Sequence, residues 1–298
     1  MAIAAPVSAS RPEQSSQMVD FARLLRGIDI PSCPEVLAAL KAEMQAASPN
    51  PVRIGRLISQ DVALSAGLLK IANSGLFAPA RQVTTMADAL ALLGIGQAFQ
   101  WIIKELLQQA IAAGSARRFE RFWDSAAYTA AICAQLAGSV SGTTRQAAWD
   151  FGLFRDCGIP ILSARFPDYG ETLRQANDET RHSFTRVEDL RHGSNHAVVG
   201  CLMARTWGLA EAVSEAILCH HDYQVLERDS GVGSEVQTLV ALHVLAEQVV
   251  ALHLGREAPN EWRKGHQTAA AFLGLSRAGV ADLVDEVRSQ IDRRRVAG

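Results

Sequence analysis

Apolar residues recur at helical spacing along almost the whole chain. Two stripes near the amino terminus show the pattern, one made of Val36, Leu37, Leu40 and Met44 and the other of Leu64, Leu68, Leu69 and Ile71. Residues three, four and seven positions apart share one face of a helix, so each stripe predicts an amphipathic helix. No run of four to eight residues alternates as a strand would. The pattern therefore predicts an all-α fold.

Further helices are predicted near residues 96–113, 122–137, 145–155, 167–177, 196–206, 211–221, 235–254, 259–272 and 276–295. Several of their ends carry recognisable signals. Asp61 stands where a helix cap is needed, Thr85 and Asp88 form a capping-box pattern, and Gly94 marks a helix stop. A break is predicted at Gly158-Ile159-Pro160.

The segment 114–121 is polar and basic, which makes it the predicted boundary between two packed helical lobes. We place the first lobe at residues 21–114 and the second at 118–255. Residues 1–20 are rich in Ala, Ser, Pro and Gln and are predicted to be a disordered lead-in. Residues 256–298 are predicted to form a helical extension packed on the second lobe.

Composition narrows the possible partners and compartment. The 298 residues carry a formal charge of −2, which disfavours a nucleic-acid partner. Five cysteines without a C-x-x-C pair argue against a disulfide framework or a zinc ribbon. The longest apolar stretch, Ala89 to Ile103, is too short to span a bilayer, and no signal-peptide pattern is present. We therefore expect a cytoplasmic protein without a membrane partner.

Three segments of the first half carry a family resemblance. Gln60-Asp61-Val62-Ala63-Leu64 precedes Leu69-Lys70-Ile71-Ala72-Asn73-Ser74, and Met86 to Gly94 reads MADALALLG. Together they resemble the HDOD domain, the HD-related output domain of bacterial signalling proteins, over residues 21–223. The structural motif of this resemblance comprises Asp61, Asn73, Ser74 and Gly94. We interpret Asn73 and Ser74 as a brace of the first lobe, since such side chains bond to nearby backbone.

The second lobe resembles the HD phosphohydrolase core. The resemblance implies a metal held by a His, an adjacent His-Asp pair and a final Asp in active members. Here Ser125 stands at the first position, Arg155 and Asp156 at the pair, and Glu247 near the last. Arginine has no lone pair to offer a metal and stays charged. With the ligand positions at Ser125 and Arg155 lost, we predict no metal, no cofactor and no catalytic residue.

Five residues remain as ligand-binding candidates: Arg155, Asp156, His196, His220 and His221. They predict a degenerate, cationic pocket for phosphate or carboxylate. An alternative leaves the histidines as hydrogen-bonded residues near helix ends. Zinc held by the histidines alone is disfavoured, because three imidazoles would converge without supporting carboxylates. The other histidines, His243 among them, show no spacing that demands chemistry.

Three functions stay open at this stage. The first is a non-catalytic signalling output or adaptor domain that acts through protein partners or a small anionic, nucleotide-like ligand. The second is a metal-dependent phosphohydrolase or cyclic-nucleotide phosphodiesterase with a rearranged site, built from Asp156, His196, His220, His221 and Glu247. The third is a scaffold without any ligand. The sequence does not identify the signalling partners.

Overall fold

The fold is given by a computed structural model that describes residues 27–74, 77, 79, 81–112 and 116–296. Within these ranges the regular structure is helical and there is no strand, so the all-α prediction is confirmed. The predicted lead-in at residues 1–20 lies outside the described residues.

The first lobe holds five described helices: α1 (Glu35–Met44), α2 (Pro51–Ser59), α3 (Val62–Ala72), α4 (Met86–Leu93) and α5 (Ile95–Ile111). The predicted signals act at their ends. Asp61 Oδ1 accepts a hydrogen bond from the Leu64 N–H at 2.9 Å, and Thr85 Oγ1 accepts one from the Asp88 N–H at 3.1 Å. Gly94 has a φ of +79°, a conformation that favours glycine, and α4 and α5 meet there at 106°.

Asn73 braces the loop that follows α3. Its Nδ2 donates to the carbonyl oxygens of Leu69 and Val83, both at 2.8 Å, and its Oδ1 accepts from the Val83 N–H at 2.8 Å. The side chain thus satisfies both backbone groups of Val83, a residue with little exposed surface. This is the bracing role that the sequence predicts for Asn73.

The second lobe and the following segment contain ten further helices and a 3₁₀ turn at Tyr223–Leu226. The helices are α6 (Ala116–Leu136), α7 (Arg145–Phe154), α8 (Gly158–Arg165), α9 (Tyr169–Asp178), α10 (Phe184–His192), α11 (His196–Thr206), α12 (Glu211–Cys219), α13 (Ser234–His253), α14 (Asn260–Phe272) and α15 (Arg277–Val296). Since α6 begins at Ala116, much of the predicted boundary segment is helical. The domain limits themselves stay a prediction.

Two helices depart from the sequence prediction. The break expected at Gly158-Ile159-Pro160 is the start of α8, because a proline in the first turn of a helix interrupts no hydrogen bond. Helix α10 was not predicted at all. It buries Phe184 and the carboxylate of Glu188 while Leu190 is exposed, so it lacks the apolar stripe by which helices are recognised.

Helix α13 is the central element of the second lobe. By length and composition α13 could cross a membrane, yet 72% of its most apolar 18-residue stretch is buried inside the protein. It packs against α6, α7, α12, α14 and α15, so its composition is that of a core helix.

Trp207 connects the two lobes through two hydrogen bonds. Its Nε1–H donates to Pro31 O at 3.0 Å, and its own carbonyl accepts from Lys41 Nζ at 2.6 Å.

The contact between α8 and α11 generates a stability prediction. A Cβ at Gly158 would collide with the backbone carbonyl of His196, which cannot move without shifting α11. We expect Gly158→Ala to lower the free energy of unfolding by about 1–3 kcal/mol, the usual cost of overpacking. Gly170→Ala is the matched control, since nothing lies within 4 Å of a Cβ there. Urea denaturation measures both, and equal stabilities would contradict the close contact.

Candidate functional site

The five predicted ligand-binding residues come together in the second lobe. Arg155, Asp156, His196 and His221 line a cavity of about 240 Å³, and His220 lies fully buried behind it. They come from three separate stretches of the chain, at residues 155–156, 196 and 220–221, so the packing of the helices brings them together. The structure also adds His243, Glu247 and Glu261 to the lining.

His196 is positioned by the turn between α10 and α11. Gly193 ends α10 with a φ of +69°, and Asn195 caps α11 by accepting a hydrogen bond from the Val198 N–H at 2.9 Å. His196 is the first residue of α11, and its Nδ1 lies 2.7 Å from Glu188 Oε2 on α10. The turn therefore places the imidazole against a carboxylate that Tyr169 OH also contacts.

His220 and His221 directly follow α12, which ends at Cys219, two residues before the predicted end at His221. The ring of His220 bonds through Nδ1 to the Ile217 carbonyl at 2.7 Å, in the last turn of the helix. His221 turns the other way and bonds through Nδ1 to Glu261 Oε2 at 2.8 Å. Glu261 also accepts from Tyr223 OH at 2.6 Å and pairs with Lys264.

The three imidazoles share one hydrogen-bonding pattern. Each Nδ1 faces an oxygen that can only accept, from Glu188, Ile217 or Glu261, so each Nδ1 carries the hydrogen. The Nε2 atoms are then left to provide lone pairs. Carboxylates and carbonyls behind the rings hold metal-ligating histidines in this same way.

The Nε2 atoms of His196 and His220 converge on Asp156. His196 Nε2 and His220 Nε2 are 3.2 Å apart, and each is 3.5 Å from Asp156 Oδ1. With His221, these ligand atoms all lie within 4.8 Å of one another. Four ligands bound tetrahedrally at about 2.0–2.1 Å would be separated by about 3.3–3.4 Å. The donor set and the closest spacings thus fit a divalent transition metal.

A proton could fill the same gap. Burial opposes protonation of His196, but Glu188 outweighs it and raises the pKa of that imidazole. Burial and the charge of His221 lower the pKa of His220 to about 3. A protonated His196 would donate from Nε2 to the lone pair of His220. If both rings were neutral and no cation lay between them, the lone pairs of the two Nε2 atoms would face and repel each other. The pair therefore requires a proton or a metal ion.

Arg155 occupies the other side of Asp156. Its Nε donates to Asp156 Oδ2 at 2.9 Å, its Nη2 to Glu247 Oε1 at 2.8 Å and its Nη1 to His243 Nδ1 at 2.7 Å. Burial disfavours the charge of Arg155, but the two carboxylates outweigh it and raise its pKa. Despite its own burial, Asp156 has a pKa held well below the usual range, chiefly by Arg155.

Two expectations about this pocket need correction. Ser125 lies on the exposed face of α6, and Phe122 is the α6 residue that lines the cavity. A phenyl ring cannot ligate a metal, so α6 supplies no ligand there. The pocket is also not a cationic concavity, because Asp156, Glu247 and Glu261 outnumber the guanidinium of Arg155.

Sequence reasoning missed His243, Glu188 and Glu261. The spacing of His243 and Glu247 at i and i+4 on α13 places both on one helix face, which was a usable signal. Glu188 lies in the helix that the apolar pattern did not reveal. Glu261 lies in the C-terminal segment, forty residues from the histidine that it contacts, so no local pattern points to it.

A sequence profile for the HDOD domain matches residues 30–223, about two thirds of the chain. The chain belongs to the HDOD domain family. Among solved structures, an HDOD domain protein with unknown function from Geobacter sulfurreducens is 20% identical with a TM-score of 0.68, over 95% of this chain and 97% of that one. A candidate phosphohydrolase from Shewanella amazonensis SB2B is 21% identical with a TM-score of 0.66, over 90% of this chain and 94% of that one.

A curated relative, an uncharacterized protein from Treponema pallidum, is 24% identical over 195 residues, which are 65% of this chain. The match spans only 38% of the length of that relative. The solved structures establish that the HDOD protein shares their all-α fold. Glu247 and Glu261, by contrast, lie beyond the residues that the family profile matches.

The pair formed by His221 and Glu261 yields a pH-dependent prediction. Burial disfavours the Glu261 carboxylate, but His221, Lys264 and Tyr223 outweigh this and lower its pKa to about 2. Its pairing therefore stabilises the fold above its ordinary pKa of about 4.5, and this contribution is lost as pH falls towards 2. We expect Glu261→Gln to cost about 2–3 kcal/mol at pH 7, and progressively less below pH 4.5.

Urea denaturation of metal-free protein between pH 7 and pH 3 measures this difference. Glu257→Gln is the matched control, because the Glu257 side chain is 96% exposed and its ion pair with Arg263 is long. A loss of stability that does not change with pH would contradict the assigned role of the Glu261 charge.

Proposed function

We propose that this HDOD protein is a bacterial signal-transduction output domain that binds one divalent transition-metal ion and acts on partner proteins without catalysis. The observation that carries the proposal is the set of three imidazoles, each bonded at Nδ1 to an acceptor, whose ligand atoms lie with an oxygen of Asp156 within 4.8 Å of one another. A set of one carboxylate and three imidazoles suits zinc, iron or manganese.

This proposal departs from the sequence expectation of no metal for a physical reason. That expectation depended on the lost ligand positions at Ser125 and Arg155, and zinc held by the histidines alone was disfavoured because no carboxylates were expected behind them. Glu188 and Glu261 now supply them, at 2.7 Å and 2.8 Å from the rings of His196 and His221. Such carboxylates orient imidazole rings and raise their basicity as ligands.

The same geometry argues against hydrolysis. A bound metal ion would supply Lewis acidity, but two-metal phosphoester chemistry needs a second ion about 3.5–4 Å from the first. Arg155 fills the adjoining space and engages Asp156, His243 and Glu247. With Phe122 in place of an α6 ligand, the alternative of a phosphohydrolase or cyclic-nucleotide phosphodiesterase is less well supported.

The carboxylates of the pocket outnumber its guanidinium, but the bound divalent ion would add two positive charges to the lining. We therefore propose a small anion as the second ligand of the metal-loaded pocket. Arg155 donates to His243 Nδ1, so His243 is neutral and carries its hydrogen on Nε2. Among the described residues, no acceptor lies within hydrogen-bond distance of this buried Nε2. The cavity of about 240 Å³ is smaller than the pockets that hold drug-sized ligands, which favours an anion of phosphate or carboxylate size over a nucleotide.

The signalling role rests on the family, whose domain is an output module. The partners would be signalling proteins, and a cytoplasmic location agrees with the five cysteines, all of which are free thiols. Neither a nucleic acid nor a membrane is part of the proposal, because the net charge is −2 and the apolar helix α13 is buried.

Metal analysis tests the proposal directly. We expect the purified protein to bind about one equivalent of zinc, iron(II) or manganese and to melt at a higher temperature when the ion is added. His220→Gln removes one ligand and is expected to weaken binding at least about 100-fold, whereas His182→Gln on the surface leaves it unchanged. Wild-type protein that stays metal-free after incubation with all three ions would overturn the proposal.

A hydrolysis assay separates the two main functions. We expect the metal-loaded protein to hydrolyse bis(p-nitrophenyl) phosphate and cyclic dinucleotides no faster than the metal ion alone, because Arg155 leaves no room for a second ion. Turnover by the wild type that is lost in Asp156→Ala would establish the enzyme and end the adaptor interpretation. Full activity in Asp156→Ala would identify a contaminant.

A further inference from the structure

The guanidinium of Arg155 is surrounded by groups that ordinarily bind metal ions. It is 6% exposed, and its donors reach two carboxylates and one imidazole lone pair, at 2.7–2.9 Å. A buried salt bridge needs an acid to balance its charge. It does not need a neutral imidazole that offers its Nδ1 lone pair to a cation.

Asp156 divides its two oxygens between two cationic positions. Oδ1 is 3.5 Å from both His196 Nε2 and His220 Nε2, and Oδ2 is 2.9 Å from Arg155. A carboxylate shared in this way is the usual bridge between two metal ions. Here one of the two positions is filled by a side chain of the protein.

We propose that Arg155 is a built-in cation that takes the place of a second metal ion, in a latent site formed by Asp156, His243 and Glu247. This deepens the proposed function, since it determines how many ions the same pocket holds. His243 and Glu247 lie one turn apart on α13, with His243 Nδ1 4.0 Å from Glu247 Oε1. Both carboxylates are about one quarter exposed, so an ion from solution can reach them.

The charges agree with this substitution. Arg155 carries one positive charge against the two carboxylates of Asp156 and Glu247, which leaves the group with a net charge of −1, one positive charge short of balance. Removal of the guanidinium would leave Glu247 and the Oδ2 atom of Asp156 without their cationic partner, a costly arrangement for largely buried carboxylates that a divalent cation relieves. Loss of Arg155 therefore creates a metal affinity at the second position, between Asp156, His243 and Glu247, which the guanidinium fills in the natural protein.

Metal counting on matched variants tests the inference. The natural protein, Arg155→Ala and Arg155→His are dialysed against manganese or zinc, and bound metal is measured by mass spectrometry. We expect each variant to bind one equivalent more than the natural protein. Arg155→Lys keeps a charge in place and is expected to gain none, as is Arg191→Ala, which removes an arginine from a surface ion pair with Asp168.

The double variant Arg155→Ala/Glu247→Ala is expected to lose the gained equivalent, because only two of the three ligands remain. Circular dichroism establishes that each variant is folded, and Arg155→His retains a bulky side chain that supports folding if Arg155→Ala does not. An unchanged metal count in both folded variants would overturn the inference. A count that rises from zero to one would support it and refute the proposed function, whereas a count of one throughout would do the reverse.

Discussion

The carboxylate of Asp156 is the interaction on which the site depends. One of its oxygens contacts the guanidinium of Arg155, and the other faces the Nε2 atoms of two histidines. A buried carboxylate is costly unless positive charge and hydrogen bonds compensate it, and here the partners on both sides do so. Because Arg155 is bound by Asp156, Glu247 and His243 together, α13 is tied to the turn after α7. The charged Arg155 side chain thereby holds these two parts of the second lobe together.

The groups that accept hydrogen bonds from Nδ1 decide what the histidines can bind at Nε2. An imidazole offers either a donor or a lone pair at Nε2, and the choice depends on what holds Nδ1. Glu188, the Ile217 carbonyl and Glu261 make the same choice for all three rings. Two of these three partners are carboxylates from helices that the apolar pattern either missed or left without a role. The C-terminal segment is thus part of the site.

The sequence predicted most helices closely, since each depends on local information. The apolar stripe of residues 196–206 matches α11 at both ends, and Asp61 and Thr85 cap the helices that they precede. The failures also have local causes. Pro160 resembles a helix breaker until its place in a first turn is known, and α10 exposes Leu190 while it buries Glu188. The family resemblance identified Arg155 and Asp156, but placed a ligand position at Ser125, which the structure leaves on the surface.

The sequence by itself determined the all-α class, the helix caps and the HDOD family, and its resemblance to the HD core singled out Arg155. These follow from spacing, from residue chemistry at single positions and from motif resemblance. Only the tertiary structure decided that Arg155 is matched by Asp156, His243 and Glu247, and that each histidine has an acceptor behind it. Those partners lie between one and ninety-two residues away along the chain. Charge balance and tautomer depend on three-dimensional neighbours, which helix periodicity does not encode.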